Sequence, residues 1–445
     1  MGRKRSEASR KGTQGPPPEV SAPEWRPVTR VAFRFAFVYF ALFALATQIA
    51  GSLLLIPGLT FRGMGQLWPM REISFWIASR VFGATLPLDY TGANGETIFF
   101  WSQTLGILVL ATLATLAWSL LGQSRKHYLT PHKWFRLCIR IGLAAQMFEY
   151  GMTKVIPNQF AAPSLNILAT PAGDLSLNTL FWSSIGTSPG YQMFTGWAEL
   201  LGGVLLLIPG TTLLGALICL ADMIYVFALN MTFDIGLKLT TFHLILLTLV
   251  LLAPDLKRLA NFFVLNRPTS ASTEPKLFDT LRANRVAIAM QIVFGVYLLG
   301  MQTWANTNFW YAEGGGAPRS ALYGIWNVDE LSLNGEIGPP SENDYDRQWR
   351  RVIFDTPDVL TFQRTDDSFA RYGIDLDVIN NRFALTKGGS RTWSSEFAFR
   401  RRADGRLSLD GEMDGTMIHL ELRRVEFDTF RLLNSHFRWL RPDGG

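Results

Sequence analysis

The stretch "RIGLAAQMFEYGMTKVIP", residues 140–157, has the apolar content of a membrane helix but also contains Arg140, Glu149 and Lys154. An ionisable side chain near the middle of a membrane helix costs roughly 2.5–3.5 kcal/mol on insertion scales, so such residues face the interior of a helix bundle. Glu149 and Lys154 are five residues apart, which separates them by about 140° around the helix axis. They therefore cannot easily pair with each other, and each needs a partner from another helix.

Further apolar runs lie on both sides of this stretch. Hydrophobic residues make up 48% of the 445 residues, and most runs have about the 20 residues needed to cross a hydrocarbon core. The sequence thus predicts an α-helical transmembrane bundle of about seven spans within residues 28–305, after a disordered, basic and Pro-rich cytoplasmic arm at 1–27. The spans are expected near 31–57, 97–121, 133–156, 190–209, 211–231, 238–260 and 285–304.

Two connections between the spans have their own character. "LWPMREISFWIASRVFG", residues 67–83, mixes polar and aromatic residues, which favours a helix that lies in the membrane interface. Residues 158–189 contain no Lys or Arg and many turn formers. We expect them to form a long outer loop that can dip back into the protein.

The basic residues predict the orientation. The formal net charge is +6, and Lys and Arg flank the apolar runs on alternate sides. By the positive-inside rule the N-terminus is cytoplasmic, and seven crossings leave the residues after 305 outside. This distribution favours membrane lipid as a partner and not nucleic acid, while protein partners stay open. A bacterial inner membrane is the expected location.

Several kinds of chemistry lack their motifs. Cys138 and Cys219 are the only cysteines, and both fall in apolar segments, so a dithiol pair and a metal site are not expected. The sequence also has no P-loop, HExxH, GxSxG or CxxCH. An ATPase, a zinc protease, a serine hydrolase and a c-type cytochrome are therefore unsupported.

The tail, residues 320–445, changes pattern. Short runs such as "WRRVIFD" and "SEFAFRR" alternate apolar and polar residues, and turn formers such as "KGGS" and "ADG" separate them. About eight strands, the last in "TFRLLNSHFRWL", favour a closed antiparallel barrel or a sandwich. We expect a separate, extracytoplasmic β-barrel domain.

The membrane part resembles the DoxX-like family. The similarity rests on "RIGLAAQMFEYGMTK", on "GWAELLGGVLLLIPGTTLLGALICLADM" and on "DIGLKLTTFHLILLTLVLLAPDLKRL", within residues 136–260. The resemblance implies a core of four helices. It also implies a candidate function, because some members are subunits of quinone-linked oxidoreductases. The additional helices and the long tail depart from the basic four-helix form.

The tail resembles the lipocalin-type barrels of the calycin group. "YGIWNV" supplies Gly324 and Trp326 as a G-x-W on the first strand. The resemblance implies that a late arginine, Arg438 or Arg441, packs over the Trp326 ring and closes one end of the barrel.

The polar residues of the spans define the candidate site. Lys154 or Lys238 can bind a carbonyl or an anion, and Glu149 or His243 can move protons. Glu199 and Asp222 lie at a similar depth, near the centres of their segments. We expect Glu149 and Lys154 to meet polar groups of the helices at 190–209 and 238–260, with Glu199, Lys238 and His243 as the likeliest neighbours. The candidate catalytic residues are Glu149, Lys154 and His243, and the candidate ligand-binding residues are Glu199, Asp222, Asn230, Asp234 and Lys238.

Three interpretations of this set stay open. The charges can form a structural network between helices, a pocket for a quinone-like or other small hydrophobic ligand, or a transport path. Two functions follow. One is a membrane oxidoreductase component whose cofactor is open, with quinone as the candidate. The other is a non-catalytic anchor or scaffold whose outer barrel binds a lipid or a protein partner.

Overall fold

The computed structural model describes residues 24–58, 61, 63–90, 96–122, 124–271, 276–338, 348–388, 393–434 and 439–440. Most of the predicted arm at 1–27 lies outside this part of the chain. A helical domain comes first and a barrel follows. The helices are α1 Pro27–Ala46, α2 Gln48–Leu53, α3 Met70–Val81, α4 Ile98–Leu121, α5 Leu129–Val155, α6 Leu165–Ala169, α7 Leu177–Gly186, α8 Pro189–Leu207, α9 Thr212–Thr232, α10 Lys238–Leu252, α11 Leu256–Phe263 and α12 Leu281–Ala312.

Five helical stretches of the described chain are long and apolar enough to cross a membrane, namely Pro27–Ala46, Ile98–Leu121, Pro209–Thr232, Lys238–Phe263 and Leu281–Ala312. The other two predicted spans are also long helices, α5 and α8. They are less apolar, because α5 contains five charged residues and α8 mixes leucines with polar and small residues. The count of seven spans stays a prediction.

Four helices pack in a ring around the candidate site. α5 contacts α8, α8 contacts α9, α9 contacts α10, and α10 returns to α5. Glycines bring α5 and α8 close together: a Cβ on Gly196 would lie 2.6 Å from the backbone oxygen of Gly151. The small residues of α8 therefore serve close helix packing, as their pattern predicts.

Several boundaries differ from the predicted ones. The run 31–57 is not one span, since Thr47 adopts an extended backbone between α1 and α2. The run 238–260 is interrupted by a 3₁₀ turn at Ala253–Asp255, where Pro254 cannot continue the α-helical hydrogen bonds. α12 extends at both ends beyond the predicted 285–304. α3 occupies the stretch predicted as an interfacial helix, and α6 and α7 lie in the predicted outer loop.

The tail forms a closed antiparallel barrel of eight strands, because β1 pairs with both β3 and β9. The short β2 extends β1 as a hairpin. A last strand was predicted in 429–440, but its described residues, 429–434 and 439–440, form turns and bends, and the edge of β9 pairs with β1. Residues 435–438 lie outside the described part of the chain. The strands are β1 Gly324–Leu333, β2 Glu336–Ile337, β3 Trp349–Phe354, β4 Val359–Arg364, β5 Phe369–Asp377, β6 Arg382–Thr386, β7 Ser394–Arg401, β8 Leu407–Met413 and β9 Thr416–Arg424.

Large side chains fill the barrel. Phe354, Phe362 and Phe397 are at most 1% exposed, as expected for eight strands, whose interior is just wide enough for side chains. Trp326 belongs to the same core, and its Nε1 donates to the Leu322 oxygen at 3.0 Å. The predicted partners Arg438 and Arg441 lie outside the described residues.

Candidate functional site

A cavity lies inside the ring of α5, α8, α9 and α10, in the half of the bundle nearer the barrel. Its volume is about 80 Å³, well above the roughly 10–15 Å³ that one water molecule needs. Residues of the loop between α5 and α8 form part of its wall. Among the lining residues are Tyr150, Lys154, Phe160, Phe181, Trp182, Tyr191, Glu199, Asp222, Tyr225, Asn230 and Leu237.

An ion pair forms the polar centre of the cavity. Lys154 of α5 donates from Nζ to Oε1 of Glu199 on α8, and both side chains are almost fully buried. The close approach at Gly151 and Gly196 positions the pair, because each ion lies three residues after its glycine, on the same helix face. The predicted contact between Lys154 and Glu199 is therefore confirmed.

Two carboxylate oxygens at the cavity have no hydrogen-bond partner among the described residues. They are Oε2 of Glu199 and Oδ2 of Asp222, both buried. Buried polar atoms in proteins are almost always paired with protein or with water. With one lysine and two acids, the cavity therefore has unused hydrogen-bond acceptors that a donor from a ligand or from water can satisfy.

Aromatic rings surround these polar atoms. Tyr150 lies beneath the Lys154 ammonium, which is 5.9 Å from its ring centroid. The hydroxyls of Tyr191 and Tyr225 are 3.0 Å apart. The rings of Phe160 and Trp182 lie 4.6 Å apart on the loop side. Such walls suit an apolar or aromatic ligand whose few polar groups reach the carboxylates.

The cavity also contains an unusual backbone conformation. Leu237, which lines the wall just before α10, has φ of 90°. A bulky residue rarely adopts this left-handed region, and such strain is often found at functional sites. The next residue is held in place, because the Lys238 backbone N–H donates to the Glu96 carboxylate at 2.5 Å.

Glu149 lies outside the cavity lining, in a separate hydrogen-bond network. Its Oε2 accepts from Gln146 Nε2 at 3.1 Å. Gln146 also contacts Ser52 of α2 at 2.6 Å and Gln48 at 2.8 Å. This network joins α5 to α2. No basic side chain of the described residues forms a salt bridge with Glu149.

Other predicted site residues also lie apart from the ion pair. His243 bonds to the Tyr39 hydroxyl at 2.7 Å and stacks on Phe43 of α1, with centroids 4.0 Å apart. Lys238 pairs with Glu96 at 3.0 Å and with Asp234 at 2.9 Å. The expectation that Lys238 and His243 meet Glu149 and Lys154 is wrong, because each has partners on other elements and neither lines the cavity.

Asn230 and Asp222 do line the cavity, as α9 turns them inward. Asn230 donates to the Thr241 hydroxyl at 3.4 Å, which links α9 to α10. Of the eight predicted site residues, Lys154, Glu199, Asp222 and Asn230 share the cavity. The described residues contain no group of three or more His, Cys, Asp or Glu side chains arranged to hold a metal ion.

Three buried arginines at the opposite end of the bundle have a structural role. Arg140 donates to the carbonyls of Leu206 and Leu207, at 3.0 and 3.2 Å, where α8 ends. Arg136 binds the Leu251 carbonyl at the end of α10, and Arg34 binds the Gly122 carbonyl after α4. The last carbonyls of a helix lack partners within it and carry partial negative charge, so a cation is stabilised there.

The loop between α5 and α8 connects the cavity to the barrel. α6 packs on the outer wall of the barrel, where Leu165 and Ala169 contact Ile325 and Ile353. The Leu165 N–H donates to Asp355 at 3.0 Å, and burial raises the pKa of that carboxyl. α7, further along the same loop, contributes Phe181 and Trp182 to the cavity wall. Sequence patterns gave no sign of this contact.

The apolar helices and the polar cavity between packed helices define an integral membrane protein with an appended barrel. Over 124 residues, 28% of this chain and 79% of the relative, the sequence is 35% identical to the uncharacterized protein YwoB of Bacillus subtilis (strain 168). The chain therefore belongs to the same family as YwoB. Neither a family model nor a solved structure matches it.

Proposed function

We propose that this protein is a DoxX-like membrane protein that binds a quinone-class ligand in the bundle cavity, as a component of a membrane oxidoreductase. The observation that carries the proposal is the pair of unpartnered carboxylate oxygens, of Glu199 and Asp222, inside an aromatic-lined cavity. Aromatic walls suit the chemistry of a quinone-class ring. Its reduced form has hydroxyl groups that can donate to carboxylates, and its oxidised form has carbonyls that can accept from Lys154.

In this proposal each side chain has a distinct role. Lys154 binds a ring oxygen and, through its ion pair, fixes the orientation of Glu199. Asp222 accepts a hydrogen bond from a hydroxyl group of the reduced ring. Asn230 helps to close the wall by joining α9 to α10. Glu149 and His243 contact other residues, outside the cavity lining, and do not belong to the proposed site.

The proposed topology has seven spans, with the N-terminus in the cytoplasm of a bacterium and the barrel outside the inner membrane. It is supported by the contacts of α5 and α8 with the apolar helices α9, α10 and α12 and by the basic residues that flank alternate ends. A phosphatase fused after residue 310 should be active, and a fluorescent reporter at the same place should be dark. The opposite pattern would overturn the topology.

The test of ligand binding uses the full chain purified in mild detergent. An absorbance scan and lipid extraction should find a bound quinone in the parent protein and little in Asp222→Asn. Glu149→Gln is the matched control, because it neutralises a carboxylate in the same half of the bundle without touching the cavity. If neither the purified protein nor protein supplied with a short-chain quinone retains any, the proposal is wrong.

The alternative is a non-catalytic anchor or scaffold whose lipocalin-like barrel binds a lipid or a protein partner. The filled core of the barrel argues against a lipid inside it, since its interior Phe side chains are almost completely buried. A partner would therefore contact the outer surface of the barrel. Quinone binding by the parent protein favours the oxidoreductase component over the non-catalytic anchor or scaffold.

A further inference from the structure

A second cavity lies at one end of the barrel, which we call the linker end because the chain from α12 enters there. It has a volume of about 760 Å³. Its wall includes Trp326 and Tyr323 as well as a group of basic residues. The lining arginines are Arg401, Arg402, Arg406, Arg423 and Arg424, against the two lining acids Asp404 and Glu426.

Part of this positive charge is not neutralised. Arg402 pairs with Glu421 at 2.5 Å, Arg423 with Asp329 at 3.1 Å, and Arg406 with Asp404 at 3.5 Å. Arg401 and Arg424 instead donate to backbone carbonyls, those of Ala321 and Tyr323. The described residues include no acid paired with either of these two arginines. The cavity thus presents guanidinium groups that an anion can bind.

The chain keeps this cavity near the end of α12. The Gly316 N–H donates to the Trp310 oxygen in the last turn of that helix, and the Ala317 N–H donates to the Gly314 oxygen. Ala321, on the cavity rim, follows only four residues later. An extended chain covers at most about 3.6 Å per residue, so the rim lies within about 14 Å of this anchored turn.

Exposed aliphatic side chains occur at the same end. In an antiparallel barrel the turn between β5 and β6 lies at the end where β1 starts. That turn exposes Val378 and Ile379, which are 49% and 92% accessible. Contiguous apolar patches mark contact surfaces and single side chains do not, so these two residues only add apolar area at the linker end.

We propose that the arginine cavity binds the phosphate groups of anionic phospholipids, and so holds the linker end of the barrel on the membrane surface. Arginine forms two parallel hydrogen bonds with a phosphate, which suits the cluster to this headgroup. The short tether to α12 brings the cluster near the headgroup layer. The proposal does not depend on the ligand of the bundle cavity.

The experiment titrates the full chain in mild detergent with short-chain phosphatidylglycerol. The double variant Arg401→Gln/Arg406→Gln should bind about 30-fold more weakly, because each basic residue near anionic lipid contributes several-fold to affinity. Arg401→Lys/Arg406→Lys keeps the charge and should lose only a few-fold. Arg371→Gln/Lys387→Gln removes two charges outside the cavity, toward the far end of the barrel, and should bind like the parent.

Other lipids and salt separate the remaining outcomes. Phosphatidylcholine should bind weakly to all variants, and inorganic phosphate should not displace phosphatidylglycerol at equal concentration. Unchanged affinity in Arg401→Gln/Arg406→Gln overturns the proposal, and equal competition by phosphate overturns the assignment to lipid. If that variant does not fold, the salt dependence of the parent protein tests the proposal. Its affinity for phosphatidylglycerol must fall as the salt concentration rises, because salt screens the charges. An affinity that is independent of salt is the contrary result.

Discussion

The two halves of α5 both carry buried charge, but they satisfy it differently. In the first half of the helix, Arg140 donates to the Leu206 and Leu207 carbonyls at the end of α8 and to the side-chain oxygen of Gln291 on α12. Near its end, Lys154 pairs with Glu199, whose second oxygen stays without a partner at a cavity. One cation is thus bound by neutral carbonyl and amide oxygens, and the other by a carboxylate whose second oxygen has no partner among the described residues.

This difference shows how to separate structural charge from site charge. The C-terminal end of every helix presents unpaired backbone carbonyls, so an arginine there is stabilised without a ligand. A buried carboxylate has about four acceptor positions and cannot fill them all with one lysine. Unused hydrogen-bonding capacity beside a cavity, and not burial of charge by itself, therefore indicates a binding site.

The largest effect is expected from Lys154→Met. It leaves Glu199 buried without a cation, which should lower the free energy of unfolding by about 3–5 kcal/mol. Ligand binding should be lost as well. Unfolding by denaturant or heat in detergent measures the loss of stability, and quinone retention measures the loss of ligand binding.

The double variant Lys154→Met/Glu199→Met separates the effect on stability from the effect on ligand binding. Replacing both ions of a buried pair by apolar groups is often neutral for stability, so most of the lost stability should return. Binding should stay absent if the pair holds a ligand. Recovery of binding together with stability would show that the pair is only a structural contact.

The opposite half of the helix is tested by Arg140→Met. Loss of charge-assisted bonds to helix carbonyls should lower the free energy of unfolding by about 1.5–3 kcal/mol. Quinone retention by the folded protein should stay within about two-fold of the parent, a difference well below 1.4 kcal/mol. A selective loss of binding with normal stability would contradict the structural role of this arginine.

The fold was largely predictable from local patterns. Apolar runs indicated the helices near their observed positions, and alternation indicated every strand of the closed barrel except β5. Another error arose where tertiary contacts decide: β1 closes the barrel on β9, and the described residues after Arg424 form no strand. Patterns also could not show that α6 packs against Ile325 and Ile353, because this contact joins residues far apart in the chain.

The site was only partly predictable. Insertion cost indicated that Lys154 needs a partner from another helix, and Glu199 was a candidate although its position in its segment is deeper. The depth of a residue in the membrane does not show which side of its helix the residue faces. His243 was therefore grouped with Lys154 and Glu199, although it faces Tyr39. Gly151 and Gly196 carried a usable signal, since small residues three positions before two opposite charges bring those charges together.

A smaller effect is expected from Asp222→Asn. The amide keeps the shape of the carboxylate but is a weaker acceptor, so affinity for a short-chain quinol should fall about ten-fold, or 1.4 kcal/mol. Stability should change little, because no partner of Asp222 Oδ2 is lost. Titration of reduced and oxidised ligand under anaerobic conditions measures this change. Equal affinity of parent and variant for both forms would remove Asp222 from the site.

The smallest effect is expected from Glu149→Gln. This variant tests whether a carboxylate in the same half of α5 as Lys154, but outside the cavity lining, affects ligand binding. Glu149 accepts from Gln146 and has no cation partner among the described residues. The neutral amide can keep one such bond, so the free energy of unfolding should change by less than about 1 kcal/mol. Quinone retention should match the parent. If Glu149→Gln instead lowers retention as much as Asp222→Asn does, the functional site extends beyond the cavity, through Gln146 toward α2.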